Sequence, residues 1–329
     1  MTPPTPHVAI IGAGIGGLSA ALRLAHSGAR VSVFERHSGP GGKMRTVPSV
    51  AGPVDAGPTV LTMKPVFDAL FADTGSALEN HVTLHRQDIL ARHFWPDGTT
   101  LDLMADMAHS TENVARAFGP QAAAEFTAFA VRAAALFDAF EVPMMHTAAP
   151  SQLSLTAQVL RAPDLLRKME PHRTLARSLA RQFSEPKLAQ LFGRYATYVG
   201  GRPDASPALL SLIWQAEARG VWHVEGGMYT LARAIMERAQ TLGATFHFNA
   251  HVHDIDMTGG RPRAVLTDAG ETTADAVLFN GDPRALQQGH LGNAAARAVP
   301  KSAAEPRSLS AYVHSFAARA QGVPLAGHN

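Results

Sequence analysis

The sequence contains no cysteine, few aromatic residues and no strong charge of one sign. The absence of cysteine excludes disulfide bonds, thiolate metal sites, a cysteine nucleophile and any cofactor attached through cysteine. With 7% aromatic residues and 29 basic against 27 acidic side chains, the composition argues against a nucleic-acid-binding protein. No run of about 18 apolar residues occurs, so we expect no transmembrane helix. The lack of cysteine also suits a reducing cytoplasm. The first six residues form a short lead-in without a signal-peptide pattern.

A glycine turn separates the first predicted strand from the first predicted helix. The apolar run from Val8 to Ile11 is too short for a helix and is typical of a buried parallel strand. Helical apolar spacing then extends from Leu18 to His26. The segment between them fits G-x-G-x-x-G at Gly12, Gly14 and Gly17, with a further glycine at Gly16. Such glycines allow a tight turn, close approach of the backbone to a pyrophosphate and close packing of helix on strand.

A second apolar strand, Val31 to Phe34, leads to an acidic side chain, Glu35. An acid about 20 residues after the glycines accepts hydrogen bonds from a ribose hydroxyl. The helix N-terminus after the turn presents N–H groups and a positive dipole end to phosphates. Because these parts follow in order, the sequence predicts a dinucleotide-binding βαβ unit. An ordinary βαβ unit with a glycine turn is the alternative.

Two further motifs make a family resemblance specific. Residues 36–46 read Arg-His-Ser-Gly-Pro-Gly-Gly-Lys-Met-Arg-Thr, and residues 54–61 read Val-Asp-Ala-Gly-Pro-Thr-Val-Leu. Together with the glycine turn, these motifs resemble the phytoene-desaturase-type carotenoid desaturases of the flavin amine-oxidase superfamily. Within that family they look most like the 1-hydroxycarotenoid 3,4-desaturases (methoxyneurosporene dehydrogenases) of purple phototrophic bacteria. Residues 194–228 are also similar to the middle of bacterial carotenoid desaturases.

The resemblance implies FAD as the cofactor. It places the Gly41-Gly42 doublet and the basic residue after it along FAD, the segment 57–59 near the flavin, and the backbone of Val252 at the adenine. A plain surface loop is the alternative for Gly41-Gly42. The cofactor-binding residues predicted in this way are Gly12, Gly14, Gly16, Gly17, Glu35, Arg36, Gly41, Gly42, Lys43, Arg45, Gly57, Pro58, Thr59, Val252 and Asp282. We expect no metal site, since His251 and His253 have no third ligand nearby.

The 329 residues, 46% of them hydrophobic, suffice for two domains with sizeable cores. The resemblance implies an α/β protein, with a Rossmann-like FAD-binding domain and an interleaved α+β substrate domain that carries a mixed sheet and helices. We expect the FAD-binding domain in residues 1–64 and 220–290, and the substrate domain in residues 65–219. Residues 291–329 would begin the return to the substrate domain. Because the relatives continue beyond this point, the chain is interpreted as C-terminally truncated.

Local patterns predict several elements of the substrate domain. Residues 92–101 indicate a hairpin around Pro96-Asp97-Gly98, and residues 110–140 have helical spacing with Pro120 in a first turn. The pattern of residues 308–316 predicts a strand. We interpret Met144 and Met145 as residues that fill a core rather than line a pocket.

Residues 161–194 carry eight basic and only three acidic side chains, with leucines between them. Basic amphipathic helices of this kind can lie on an anionic membrane surface, whereas a solvated helix face is the alternative. The sequence alone slightly favours the solvated face, and the lipophilic substrate implied by the resemblance puts the two interpretations on equal terms. We therefore expect a cytoplasmic protein with possible peripheral contact with the inner membrane.

The resemblance implies removal of a hydride and a proton from adjacent carbons of an acyclic hydroxylated or methoxylated carotenoid, with the flavin as hydride acceptor. No nucleophile elbow and no P-loop occur, and no catalytic residue is predicted. Phytoene desaturase is the first alternative, and a non-catalytic nucleotide-binding fragment is another. An amine oxidase and a dehydrogenase that uses only NAD are weaker alternatives. The sequence leaves the electron acceptor open.

Overall fold

The computed structural model describes residues 5–147, 150–300, 307–322 and 324–329. Residues 1–4, most of the predicted lead-in, lie outside the described residues. The strands are β1 (His7–Ile11), β2 (Arg30–Phe34), β3 (Thr46–Val47), β4 (Val54–Asp55), β5 (Leu84–Arg86), β6 (Ile89–Phe94), β7 (Thr100–Met104), β8 (Trp222–Val224), β9 (Thr245–His247), β10 (Val252–Thr258), β11 (Arg261–Thr267), β12 (Gly270–Thr273) and β13 (Ala276–Phe279).

The α-helices are α1 (Ile15–His26), α2 (Lys64–Ala72), α3 (Met107–Phe118), α4 (Pro120–Met145), α5 (Gln152–Arg161), α6 (Pro163–Met169), α7 (Leu175–Gln182), α8 (Pro186–Gly193), α9 (Ile213–Ala218), α10 (Met228–Thr241) and α11 (Pro283–Gln287). Short 3-10 helices occupy Leu78–Asn80, Arg194–Val199, Ala208–Leu212 and Ala295–Ala298.

The chain divides into two compact units. The first, the nucleotide unit, comprises Met1–His85, His223–Arg307 and Tyr312–Arg319. The second, the helical unit, comprises Arg86–Trp222, Ser308–Ala311 and Ala320–Asn329.

The nucleotide unit is built on a four-stranded parallel sheet in the order β13-β1-β2-β9. All five residues of β1 are buried, as the continuous apolar run predicts for a strand covered on both faces. The crossover helix α1 buries Leu18, Ala21 and Leu22, which recur at helical spacing. This arrangement brings the carboxyl ends of β13, β1 and β2 together at one edge of the sheet, where α/β folds bind their ligands.

A three-stranded antiparallel sheet in the order β10-β11-β12 follows β9. It packs within the nucleotide unit through a core that includes Ala9, Phe34, Val252 and Val265. Parallel and antiparallel sheets with helices confirm the predicted α/β class with a Rossmann-like nucleotide-binding part.

The helical unit contains the predicted hairpin, since β6 and β7 pair in antiparallel order around residues 95–99. The predicted helix 110–140 is present but is divided at Gly119, where φ is 92° and Pro120 opens α4. Aromatic side chains fill the core of this unit. Phe192 packs against Phe129, with ring centroids 4.3 Å apart, and against the edge of Trp214 at 5.6 Å.

Two local predictions were wrong. Residues 308–316 are irregular and exposed rather than a strand. Alternating apolar residues favour extended backbone, but a strand forms only where a neighbouring strand accepts its hydrogen bonds. Met144 and Met145 do not fill a core, because both side chains are about half exposed at the end of α4.

Candidate dinucleotide-binding site

The glycine turn between β1 and α1 is shaped by contacts that leave no room for side chains. Gly12 has a φ of 99° and donates its N–H to the Phe34 carbonyl at 2.8 Å. A Cβ at Gly17 would overlap the Gly12 carbonyl oxygen, so this glycine permits the helix to pack closely on the strand. No side chain caps the N-terminus of α1 and no acid lies in its first turn. This end of the helix therefore offers N–H groups and a positive dipole to an anion.

The Gly41-Gly42 doublet lies directly against this turn. Gly41 donates its N–H to the Ala13 carbonyl at 2.8 Å, and Gly14 and Gly41 form an isolated parallel bridge. A Cβ at Gly42 would lie 3.1 Å from the Gly14 Cα. The structure therefore brings two of the predicted glycine motifs together, and it does so through the backbone.

Glu35 follows β2 and turns its carboxylate back to the glycine turn. Its Oε2 accepts a hydrogen bond from the Ala13 N–H at 2.8 Å, and its Oε1 accepts one from the His37 N–H at 3.0 Å. Glu35 is only 6% exposed. A carboxylate has about four acceptor positions, so each oxygen retains capacity for a hydroxyl donor.

The remaining cations and the segment 57–59 occupy the adjoining loop. Arg36, Lys43 and Arg45 are exposed, and the Arg36 side chain contacts His37. The β3–β4 hairpin places Gly57 so close to the Lys43 carbonyl oxygen that a Cβ there would overlap it. Pro58 and Thr59, the next two residues, are exposed. This loop therefore carries most of the remaining predicted residues.

Val252 and Asp282 lie in different surroundings. Val252 is a buried core residue at the start of β10, two residues after Ala250, whose N–H donates to the Glu35 carbonyl at 2.9 Å. Asp282 caps α11, since its Oδ1 accepts a hydrogen bond from the Arg284 N–H at 2.9 Å. The predicted contacts of these two residues with the cofactor stay predictions.

Sequence reasoning missed Asn280, the residue directly after β13. Its Nδ2 contacts the Gly12 carbonyl oxygen at 3.4 Å, and a Cβ at Gly14 or Gly16 would meet its side-chain amide. Because β13 lies beside β1 in parallel, the residue that follows it reaches the same edge of the sheet. The apolar run over residues 276–279, which directly precedes Asn280, was the signal that could have identified this position.

Asp55 was also missed, although it lies within one of the quoted motifs. Its Oδ2 accepts a hydrogen bond from the Met228 N–H at 2.8 Å and so caps α10. A Cβ at Gly227 would lie 2.8 Å from the same oxygen. Asp55 thus ties the β3–β4 hairpin to the Gly226-Gly227 turn of the returning chain.

The described residues fit the ADP half of a dinucleotide. An added Cβ at Gly17 or Gly41 would overlap a backbone carbonyl oxygen, so both positions require glycine for this close backbone packing. The helix end suits a diphosphate, and the Glu35 carboxylate suits a ribose hydroxyl. No group of three or more His, Asp or Glu side chains that could hold a metal occurs among the residues that the structure describes. Within the same residues, no helix has the length and apolarity needed to cross a bilayer.

A buried polar cluster lies in the helical unit. Glu217 is 2% exposed and accepts hydrogen bonds from Arg194 at 2.5 Å, from the Tyr195 hydroxyl at 2.9 Å and from the Tyr198 hydroxyl. Burial, followed by the negative charge of Glu217, raises the pKa of both tyrosines. Nearby on β6, burial lowers the pKa of His93 to about 3, with a further contribution from Arg194. These tyrosines and His93 are therefore neutral at physiological pH.

The fold and the site define a Rossmann-type nucleotide-binding protein with a backbone cradle for a dinucleotide. The model of the flavin-containing amine oxidoreductase family matches residues 15–314, and the chain belongs to that family. The family match and the Glu35 geometry support FAD as the cofactor.

Curated relatives match almost the whole chain. A hydroxyneurosporene desaturase of Cereibacter sphaeroides is 49% identical over 98% of this chain and 66% of its own length. One of Rubrivivax gelatinosus is 43% identical over 99% of this chain and 62% of its own length. An all-trans-zeta-carotene desaturase of Myxococcus xanthus is 34% identical over 92% of this chain and 56% of its own length. The chain thus spans less than two thirds of the length of these relatives. The match confirms the resemblance to carotenoid desaturases of purple bacteria.

Solved structures share the fold at low identity. A cyclohexylamine oxidase from Brevibacterium oxydans has a TM-score of 0.57 and 18% identity, and the match covers 92% of this chain and 62% of that one. An oxidoreductase from Methanosarcina mazei has a TM-score of 0.59 and 19% identity over 90% of this chain and 63% of its own.

Proposed function

We propose that the protein to which this chain belongs is an FAD-dependent oxidoreductase that desaturates an acyclic carotenoid of the hydroxy- or methoxyneurosporene type. The observation that carries this proposal is the 49% identity, over 98% of the chain, to a hydroxyneurosporene desaturase. A relative named as an all-trans-zeta-carotene desaturase is less similar, at 34% identity. The higher identity to the hydroxyneurosporene enzymes supports a hydroxylated substrate.

Bound FAD would supply the two-electron oxidant for removing a hydride and a proton from adjacent carbons, which leaves a new C=C bond. The residues of the nucleotide unit act by binding and orientation. The Glu35 carboxylate would accept hydrogen bonds from the ribose hydroxyls, and the α1 N-terminus would stabilise the negative charge of the diphosphate. The Gly41-Gly42 doublet would allow the cofactor to pass close to the backbone.

Expression of the protein in cells that accumulate hydroxyneurosporene tests the reaction. We expect a product with one further double bond and a longer-wavelength absorption, identified by chromatography and mass spectrometry. Cells that accumulate phytoene serve as the comparison, and conversion of phytoene alone would favour the phytoene desaturase alternative. Absence of any new polyene from both substrates would contradict desaturation.

Purification of the 329-residue chain separates catalysis from cofactor binding. A yellow protein with flavin absorbance at a stoichiometry near one supports the proposed cofactor role of the nucleotide unit. A chain that retains flavin but converts neither substrate would support the non-catalytic alternative for this stretch of the protein.

We also propose a cytoplasmic location with peripheral contact at the inner membrane. Support comes from the lipophilic nature of the proposed substrate and from the excess of basic side chains in residues 161–194. Fractionation of expressing cells, with a salt wash of the membranes, tests the location. Recovery only in the soluble fraction at low salt would contradict it.

A further inference from the structure

Asp55, the last residue of β4, joins two segments of the nucleotide unit that are far apart in sequence. Its Oδ2 accepts a hydrogen bond from the Met228 N–H at 2.8 Å, across a separation of 173 residues. The turn before Met228 is shaped for this contact. Gly227 has a φ of 89°, and a Cβ there would lie 2.8 Å from the same oxygen. Both features require glycine, so the turn lets the carboxylate approach the backbone closely.

The N-terminus of α10 depends on this distant acid. No side chain of its own turn caps the helix, and no acid lies in its first turn. The second oxygen of Asp55, Oδ1, is buried and has no hydrogen-bond partner among the residues that the structure describes. The carboxylate therefore directs its hydrogen bonding to α10, where its negative charge also meets the positive end of the helix dipole.

The first two turns of α10 lie against the loop 39–45, which carries the glycine doublet. A Cβ at Gly41 would lie 3.3 Å from the Ala232 Cβ, and a Cβ at Gly39 would lie 2.7 Å from the Tyr229 hydroxyl oxygen. Ala232 is fully buried. The part of α10 that Asp55 caps is therefore the part that supports the doublet.

The hairpin that carries Asp55 contacts the same loop. Directly after Asp55, the Ala56 N–H donates to the Arg45 carbonyl at 2.8 Å. A Cβ at Gly57 would overlap the Lys43 carbonyl oxygen, so the two backbones pack without room for a side chain. The loop 39–45 thus touches both elements that Asp55 joins. A change in the spacing between the β3–β4 hairpin and α10 would displace this loop.

The loop borders the place where a dinucleotide continues beyond its diphosphate. The Gly41 N–H donates to the Ala13 carbonyl, and Gly42 lies against Gly14. The ADP half has contacts of its own, the α1 N-terminus and the Glu35 carboxylate, which are held by bonds within the glycine turn and the loop after β2. Displacement of the loop 39–45 would therefore affect the flavin half of FAD more than the ADP half.

We infer that Asp55 is a positioning residue for the flavin half of FAD. Its carboxylate fixes the β3–β4 hairpin to the start of α10, and these two elements together hold the doublet loop beside the glycine turn. Asp55 acts through this loop and not through contact with the reacting atoms. The inference rests on FAD as the cofactor, and it assigns a role to an acid that lies outside the glycine turn.

Paired titrations of the flavin-free chain with FAD and with ADP test the inference, because ADP lacks the flavin half. Isothermal titration calorimetry gives both affinities. We expect Asp55→Ala to bind FAD about tenfold more weakly than wild type and to bind ADP within about twofold, since the helix loses its cap and only the loop is displaced. Asp55→Asn keeps an oxygen for the Met228 N–H and should bind FAD within about threefold of wild type. At saturating FAD, the visible circular dichroism of the bound flavin should change in Asp55→Ala and stay as in wild type in Asp55→Asn.

The matched control is Asp106→Ala in the helical unit. Asp106 also caps a helix, since its Oδ1 accepts a hydrogen bond from the His109 N–H at 2.9 Å, and its replacement should alter neither affinity. Equal weakening of FAD and ADP binding in Asp55→Ala would overturn the inference. Unchanged FAD affinity in this variant, or a wild-type chain that binds ADP as tightly as FAD, would do the same.

Far-ultraviolet circular dichroism checks that the variants are folded. If Asp55→Ala does not fold, Asp55→Glu takes its place, because the added methylene increases the spacing between hairpin and helix while the charge is kept. It should show the same selective loss of FAD affinity, and wild-type affinity for FAD would overturn the inference. Since these titrations contain no carotenoid, either result leaves the proposed reaction to its own test.

Discussion

The Glu35 carboxylate accepts a hydrogen bond from the Ala13 N–H at 2.8 Å, which joins the end of β2 to the glycine turn after β1. The same carboxylate binds the His37 N–H, so its negative charge is held in a buried position beside the turn. One side chain therefore shapes the turn, and in the proposed function its oxygens would also accept hydrogen bonds from a ribose.

Replacement of this acid tests both roles. Glu35→Gln should weaken FAD binding about 10- to 100-fold, because the amide loses the charge-assisted bonds and leaves one buried N–H unsatisfied. Fluorescence titration with FAD measures the effect, and Glu237→Gln, an exposed acid on α10, serves as the control. Equal FAD affinities for Glu35→Gln and wild type would contradict the assignment.

Gly17→Ala tests the close contact between helix and strand. The added methyl group would overlap the Gly12 carbonyl, and we expect a loss of about 1–3 kcal/mol in the free energy of unfolding together with loss of FAD binding. Urea denaturation gives the stability. Gly193→Ala is the matched control, because its Cβ would make only ordinary contacts with Pro203. Similar stabilities of the two variants would show that the turn can adjust.

Asn280 offers a test of where the diphosphate lies. Asn280→Asp would place a negative charge beside Gly12, Gly14 and Gly16, and we expect at least about tenfold weaker FAD binding by repulsion between like charges. Asn280→Ala should have a smaller effect, since it removes a contact without adding charge. Higher salt should reduce the difference between the two variants. If Asp and Ala weaken binding equally, the charge argument fails.

The buried cluster around Glu217 makes a prediction about stability. Glu217→Ala would leave Arg194 and two tyrosine hydroxyls without their acceptor, which should cost about 3–5 kcal/mol of unfolding free energy. Glu237→Ala removes an exposed partner of Arg233 and should cost at most about 1 kcal/mol. Chemical denaturation compares the two, and equal losses would refute a special role for burial.

His93 predicts a pH dependence of stability. Burial lowers its pKa to about 3 in the folded chain, whereas the unfolded value is 6.5. Between these values the unfolded chain binds the extra proton, so stability is full above pH 6.5 and falls as the pH decreases. At pH 5 the expected loss is about 2 kcal/mol.

Denaturation midpoints between pH 5 and 8 measure this slope, and His93→Gln should flatten it. Burial also lowers the pKa values of His7 and His81, so a residual slope in the same direction should persist in the variant. A variant with the full wild-type slope would show that other groups control acid sensitivity.

The succession of motifs along the sequence was sufficient to predict much of the nucleotide unit. The strand, glycine turn, helix and Glu35 follow one another within a short stretch, and each has a conformational requirement that its own residues meet. The hairpin around Pro96-Asp97-Gly98 and the start of α4 at Pro120 were likewise predictable, because turn residues act on their immediate neighbours.

Only the tertiary structure decided which distant residues meet and which apolar side chains remain exposed. Asn280 reaches the glycine turn because β13 pairs with β1, and Gly41 meets Gly14 through a bridge that no local pattern encodes. The exposure of Leu153 and Leu160 was likewise not predictable, because their spacing along the helix suits a buried face as well as an exposed one. Residue type and spacing specify the backbone conformation and the faces of each element. The partner that covers a face depends on packing between segments far apart in sequence, and that is settled only when the chain folds.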